Sequence, residues 1–294
     1  MKMNCLKILF LVLILFFTDS AKSQDNFSFW LSSGYNFDVS PDVSEIKNIS
    51  VIDSLNIIKS SDIYLGNGMV INAGMNVRLK KDFGVGLKVE FLMGEKNYIE
   101  QSFQSNAQIN NDSTYKFVFY SSFTNISPFF SFNKKGEKFN YMVSGGPIIG
   151  FGRITRELTK LYPNKVYYEK YLYEGGIAAG IFVEYSAEYF ISSRLSFLGI
   201  IGASTLTYMP SRGVITEAYE DVGSPRDVLS DMPLSVRETH FVDSYNYVDG
   251  QNDKNVPSKE LQPYFNLNAF YFRLGLRFFL ESKSFEDEQP TRKL

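Results

Sequence analysis

The feature that most constrains this chain is a two-residue alternation of apolar and polar side chains, repeated in segment after segment from Phe27 to Leu280. Phe27, Phe29, Leu31, Tyr35 and Phe37 alternate with Ser28, Ser32, Gly34 and Asn36. Met69, Ile71, Ala73, Met75, Val77 and Leu79 alternate with Asn72, Gly74, Asn76 and Arg78. Phe83 to Met93 alternates with Gly84, Gly86, Lys88, Glu90 and Gly94. The same rhythm returns in Phe139–Phe151, Tyr173–Tyr185 and Phe270–Leu280. A period of two is the signature of a strand with one apolar face. Tyr115–Phe132 and Arg194–Met209 also read as strands, with a face that a bulge would shift, which brings the expected number to eight.

The connections constrain the topology. Three are short: Lys80–Asp82, Asn133–Glu137 and Ser186–Ser193. Four are long: Asp38–Gly66, Glu95–Thr114, Arg153–Tyr171 and Pro210–Pro263. Strict alternation of short and long predicts an antiparallel up-and-down meander with tight turns at one end and loops at the other. The expected fold class is all-β: a transmembrane eight-stranded antiparallel up-and-down β-barrel with short periplasmic turns and long outer loops.

The N-terminus supports export. Lys2 and Lys7 precede an apolar run, Ile8–Phe17, and Ala21 and Ser23 supply small residues before Gln24. This reads as a signal peptide over 1–23; the run is about half the ~20 residues of a spanning helix. The sole cysteine, Cys5, lies within it, so the exported chain is expected to hold neither a disulfide nor a cysteine metal site. Loss of that segment changes the formal charge from −2 to −4, with 27 basic and 31 acidic residues. Such a balance argues against a nucleic-acid partner. With 27 Phe and 19 Tyr the chain has too many rings to be disordered.

Period alone does not say which face is inside. A lipocalin-like soluble carrier would turn the apolar face inward; a membrane barrel turns it to lipid. The glycines on the polar face suit a narrow, crowded interior, because eight strands leave room only for packed side chains. The apolar faces carry almost no charge, and every strand exceeds the ~9–11 residues needed to cross a bilayer. In hydrocarbon a sheet must also close to pair its backbone.

Phe270-Tyr-Phe-Arg-Leu-Gly-Leu-Arg-Phe-Phe-Leu280 resembles the aromatic-ended closing strand recognised by the barrel assembly machinery. Gly145-Gly-Pro-Ile-Ile-Gly-Phe151 resembles the Gly-rich central strand of PorT-like, porin-family outer-membrane barrel proteins. The resemblance covers most of the exported chain in pattern, through short motifs. It implies a barrel domain over 24–280 in the bacterial outer membrane. Its partners would be outer-membrane lipids, the assembly machinery during insertion, and a periplasmic or surface protein. Residues 281–294 depart from the pattern as a charged periplasmic tail.

The expected lumen charges are Arg78, Lys88, Glu90, Glu174, Glu184, Arg273 and Arg277. Mixed signs in a narrow space either pair as a network that fills the lumen or form a gated ion path. His240 is the only histidine, in Glu238-Thr-His-Phe-Val-Asp-Ser244. It is expected to be an exposed loop residue; an acyl-transfer role would need Ser and carboxylate geometry that proximity in sequence does not supply. Asp243, Asp249, Asn252 and Asp253 fail the EF-hand spacing. No Walker, nucleophile-elbow or zinc motif occurs, and the four Asn-x-Ser sequons (Asn26, Asn48, Asn111, Asn125) read as chance. No cofactor, metal or catalytic residue is expected. The expected role is that of a structural, surface-binding or secretion-associated membrane protein. The alternatives are a narrow solute pore, a lipid-modifying barrel enzyme and the lipocalin-like carrier.

Overall fold

The structure, a computed structural model, describes residues 27–39, 63–79, 82–103, 113–136, 139–192, 194–243 and 253–280. The expected signal peptide, the tail from 281, Asp249, Asn252 and three of the sequons lie outside them. The chain is almost entirely β. Its strands are β1 (Phe27–Asp38), β2 (Gly68–Arg78), β3 (Phe83–Gly94), β4 (Asn97–Phe103), β5 (Ser113–Lys135), β6 (Phe139–Tyr162), β7 (Lys165–Glu174) and β8 (Ile177–Ser192). Then follow β9 (Leu195–Met209), β10 (Arg212–Asp221), β11 (Pro225–Asp227), β12 (Glu238–Val242), β13 (Ser258–Leu261), β14 (Phe265–Asn266) and β15 (Ala269–Phe279). Among the described residues no helix is long and apolar enough to cross a membrane.

Eight of these strands form a ring. The order β1-β2-β3-β5-β6-β8-β9-β15 returns to β1, and each strand is antiparallel to both neighbours. The paired residues can be followed once around it. Arg153 lies opposite Ser122, then Met93, Met69, Tyr35, Phe272, Ile201, Tyr185 and finally Val143, back on β6. The walk ends ten residues down the strand from Arg153. A stagger of ten over eight strands sets the tilt at about 40°, given about 3.4 Å per residue and about 4.8 Å between strands.

The tight turns share one end. Leu79 N–H donates to the Phe83 carbonyl (2.8 Å), Gly136 N–H to that of Phe139 (2.7 Å) and Phe279 N–H to that of Arg194 (3.0 Å). Both ends of the ring chain lie there too, joined by Leu280 N–H to the Phe27 carbonyl (3.4 Å). The third short connection is tighter than its sequence suggests: β8 runs to Ser192, so Ser186–Ser192 is strand.

At the other end the structure corrects the expectation of long loops. β5 and β6 run 23 and 24 residues and overhang the ring. The edges of the overhang recruit β4 on one side and β7, β10, β12 and β13 on the other, making a curved outer lobe. Much of Glu95–Thr114, Arg153–Tyr171 and Pro210–Pro263 is therefore ordered sheet. Gly175 and Gly176, both at positive φ (70° and 73°), mark where the chain leaves β7 and drops into the ring as β8.

Around the ring the apolar face points out. Phe29, Leu31, Met69, Ile71, Phe91, Phe130, Ile181, Val183, Phe270 and Phe272 are exposed, while Ser32, Asn36, Asn72, Asn125, Ser144 and Ser186 are buried inside. In the overhang the polarity inverts along the same strands. On β5 the buried inward positions are mostly polar in the ring, Asn133, Ser131, Ser127 and Asn125 beside Phe129, and mostly aromatic beyond it, Phe123, Phe119 and Phe117 beside Ser121. The outward positions change from Phe132, Phe130 and Ile126 to Ser122, Tyr120 and Lys116. On β6, outward Phe139 to Phe151 gives way to Arg153, Glu157 and Thr159, and inward Asn140 and Ser144 to Ile154 and Leu158. The uncertain face of β5 thus comes from inversion, not from a bulge; its pairing phase with β3 and β6 is unbroken. The register shifts of the ladder fall instead in β8, between Phe190 and Ser192, and in β10, between Ile215 and Glu217.

Candidate functional site

The interior of the ring is the candidate site. Three strands deliver its charges. β3 contributes Lys88 and Glu90, β8 contributes Glu184 and Glu188, and β15 contributes Arg273 and Arg277, all six buried. They meet as three pairs. Lys88 Nζ lies 2.8 Å from Glu184 Oε2, and Arg273 Nη2 lies 2.7 Å from Glu90 Oε2. Arg277 Nη1 pairs with Glu188 Oε1. Three cations face three carboxylates, so the buried set carries no net charge. Each carboxylate also accepts from a neutral donor, as a buried anion must. Ser144 Oγ (3.0 Å) and the Tyr271 hydroxyl (3.2 Å) donate to Glu184, Asn125 Nδ2 to Glu90 (3.3 Å) and Asn140 Nδ2 to Glu188 (3.2 Å).

The cations rest on rings. Lys88 Nζ sits 3.6 Å from the Phe182 centroid, the Arg273 guanidinium 3.8 Å from Tyr271, and the Arg277 guanidinium 4.8 Å from Trp30. Nε and Nη1 of Arg273 and Nε of Arg277 make no hydrogen bond among the described residues; the ring faces offset part of that cost. Glycines make the stacking possible. A Cβ on Gly74 would enter the Trp30 ring and one on Gly202 the Tyr271 ring.

Above the charges the interior turns apolar and closes. Leu65, Leu92, Phe123, Leu206, Tyr208, Phe265 and Leu267 are all buried there. Ser121 Oγ donates to the Leu65 carbonyl (2.6 Å), which ties the stretch entering β2 across the mouth. Between the two layers remains a cavity of about 10 Å³, lined by Lys88, Glu90, Asn125, Ser127, Ile148 and Phe182 among others, which is room for about one water.

Of the seven expected lumen charges, the structure brings together Lys88, Glu90, Glu184, Arg273 and Arg277. Two fall elsewhere. Arg78 is half-buried at the turn end of β2 and pairs with none of these carboxylates. Glu174 closes β7 on the outer face and pairs with Arg212 (3.1 Å). It lies on β7, outside the ring, before the turn at Gly175 and Gly176 that leads into β8. Glu188 is the member the sequence reading missed, because the strand was ended at Ser186; Tyr185, Tyr189 and Ile191 continue the alternation and carried the signal.

His240 is exposed, and it lies in β12 rather than in a loop. Its Nε2 is 3.1 Å from Glu238 Oε1. The neighbouring Thr239 hydroxyl is bonded to that of Ser258 at 3.0 Å. Ser244 lies outside the described residues. Among the described residues no group of three or more His, Cys, Asp or Glu side chains is placed to hold a metal.

No protein-family model matches the chain. No curated protein matches it. Among solved structures it is similar to a FadL homologue of Pseudomonas aeruginosa at 8% identity and a TM-score of 0.20, over 87% of this chain and 91% of that one. A superposition this loose carries no argument.

Proposed function

We propose that the chain is a bacterial outer-membrane β-barrel whose wall is the eight-stranded ring, whose lumen is filled, and whose work is done by the outer lobe it holds at the cell surface. The carrying observation is the inversion of polarity along β5 and β6. A soluble carrier would keep one outer polarity over the whole strand. Here the outward face is apolar from Phe139 to Phe151 and polar from Arg153 to Thr159. Twelve residue steps at about 3.4 Å, tilted by about 40°, span about 31 Å, close to the ~30 Å hydrocarbon core of a bilayer. The tilt itself lies in the range of membrane barrels. The resemblance to PorT-like barrels and the signal-like N-terminus support the same location.

The interior favours a plug over a pore. Its charges cancel in pairs, its mouth is covered by Leu65, Phe123, Tyr208 and Phe265, and its cavity holds about one water. Binding specificity then belongs to the lobe, built by strands beyond the belt, as loops on a rigid scaffold often carry it. Two measurements test this reading. The folded protein in detergent is expected to change gel mobility only after boiling and to fractionate with the outer membrane; a soluble protein with no shift refutes the barrel. In planar bilayers it is expected to give no stepwise conductance, and regular steps would restore the pore.

A further inference from the structure

The wall has one weak seam. Pairing between β5 and β6 keeps one phase from Thr114 opposite Leu161 to Lys135 opposite Asn140. It is missing at three consecutive positions, between Ile126 opposite Ile149 and Phe130 opposite Gly145. That phase sets Pro128 directly across from Pro147. A directly opposed pair at a hydrogen-bonded position exchanges two N–H···O bonds, and proline has no N–H. Both donors are lost at one point. The other seven seams of the ring run without such a gap, apart from the irregularity between Phe190 and Ser192 beside a turn. Proline is normally confined to edges and bulges of a sheet, yet these two stand in a closed wall, where backbone pairing matters most.

The two sides of the seam fit an apolar guest. Outside, Ile126, Phe130, Ile149 and Ile181 surround it within the apolar belt, and Phe130, at 74% exposure, is among the most exposed rings of the molecule. Inside, Phe129 meets Trp30 at 5.7 Å and Phe182 at 6.4 Å, and Ser127 and Ile148 line the small cavity, whose wall is apolar at Phe182, Leu206 and Leu267 and charged at Lys88 and Glu90. Gly146 leaves no side chain beside the Pro128 carbonyl, so the inner lip is bare backbone. The wall therefore lacks its hydrogen bonds at the level where the charged layer around Lys88 meets the apolar layer above it.

We propose that the ring opens laterally between Pro128 and Pro147 and that an acyl chain of the surrounding lipid enters the upper lumen against Phe129, Ile148 and Phe182, spreading side chains that in the closed ring leave room for about one water. This rests on the membrane reading, and it makes the lumen a lipid-accessible pocket rather than an inert plug. Trp30, the only tryptophan in the chain, is buried one ring away from the seam and reports on it. The test compares the natural protein with the P128V/P147V variant, which restores both N–H donors on outward positions. Both are folded into vesicles of phosphatidylcholine, with and without bromine on the acyl chains, and Trp30 fluorescence is read. Quenching by brominated lipid is expected in the natural protein and is expected to be lost in the sealed variant. Equal quenching in the two, with both showing the heat-dependent gel shift, overturns lateral entry while leaving the barrel standing. Absence of the heat shift in the natural protein removes the barrel, and the seam proposal with it.

Discussion

Arg277 and Glu188 illustrate what one residue does in a filled lumen. Both are buried, and each is the other's ionic partner. Removing one leaves a charge in a dry interior, which costs about 3–5 kcal/mol, whereas replacing both with apolar residues of similar volume costs far less. Arg277→Met is therefore expected to lower the urea midpoint of the heat-modifiable form sharply, and Arg277→Met with Glu188→Leu to recover most of it. The glycine faces make a second prediction. Gly74→Ala drives a methyl into the Trp30 ring, an overpacking cost of about 1–3 kcal/mol. A shifted Trp30 emission together with a lower midpoint checks it. Most of this site was legible in the sequence. Lys88, Glu90, Arg273 and Arg277 stand at even spacing on strands whose other face is apolar, so their common side follows from the pleat. What was not legible is which strand leaves the ring. Glu174 and Glu184 belong to one run of alternation, and only the positive-φ glycines at 175 and 176 separate the outer one from the lumen.

At the level of elements, β5 and β6 are the informative pair. Their alternation is unbroken, so strand character was legible over the ring. The outer half of β6 reads as a loop in the sequence, and that of β5 as a strand of uncertain face from Tyr115, because the contrast between faces reverses near Arg153 and Ser122, and reversal erases the expected pattern without ending the strand. Thr155 and Leu158 look like loop composition until Ile154 and Leu158 are placed on the inner face. The seam within this pair should exchange. Amide hydrogens of Ile126, Phe130, Gly145 and Ile149, which face across the seam beside the gap, are expected to exchange faster than those of Thr124 or Val143 farther along it, as measured by hydrogen–deuterium exchange in detergent. Uniform protection along β5 would contradict it. The lobe has its own response to pH. Burial, with Glu157 and Glu217 nearby, pushes Tyr168 from 10.0 up to about 12. Burial and the hydrogen bond with Tyr115 do the same for Tyr162. Each fold-held phenol stays neutral where the unfolded one ionises, so its contribution is complete below pH 10 and is lost as pH rises toward 12. Protease cleavage within the lobe is expected to accelerate over that interval while the heat-modifiable wall persists, and Tyr168→Phe is expected to blunt the effect.

The whole molecule is a closed wall and an open lobe made from the same strands. Closure was legible from the even strand count and the alternating connections; the stagger of ten was not, since it depends on partners that no single strand specifies. The lobe was hidden because its strands pair beyond the ring, with neighbours far away in sequence, such as β7 with β10. One consequence concerns biogenesis. The overhang is no separable insert: cutting β5 and β6 back to the belt also deletes Phe117, Phe119, Ile154 and Leu158, on which the lobe packs. On the membrane reading proposed above, the overhang, with Lys116 on β5, Glu157 and Lys160 on β6 and Lys170 on β7, would have to cross hydrocarbon during insertion, whereas the described opposite end carries tight turns. The reverse trip would drag the same charges back through lipid. On that reading the molecule would be a one-way rivet, its orientation written into the chemistry of two strands.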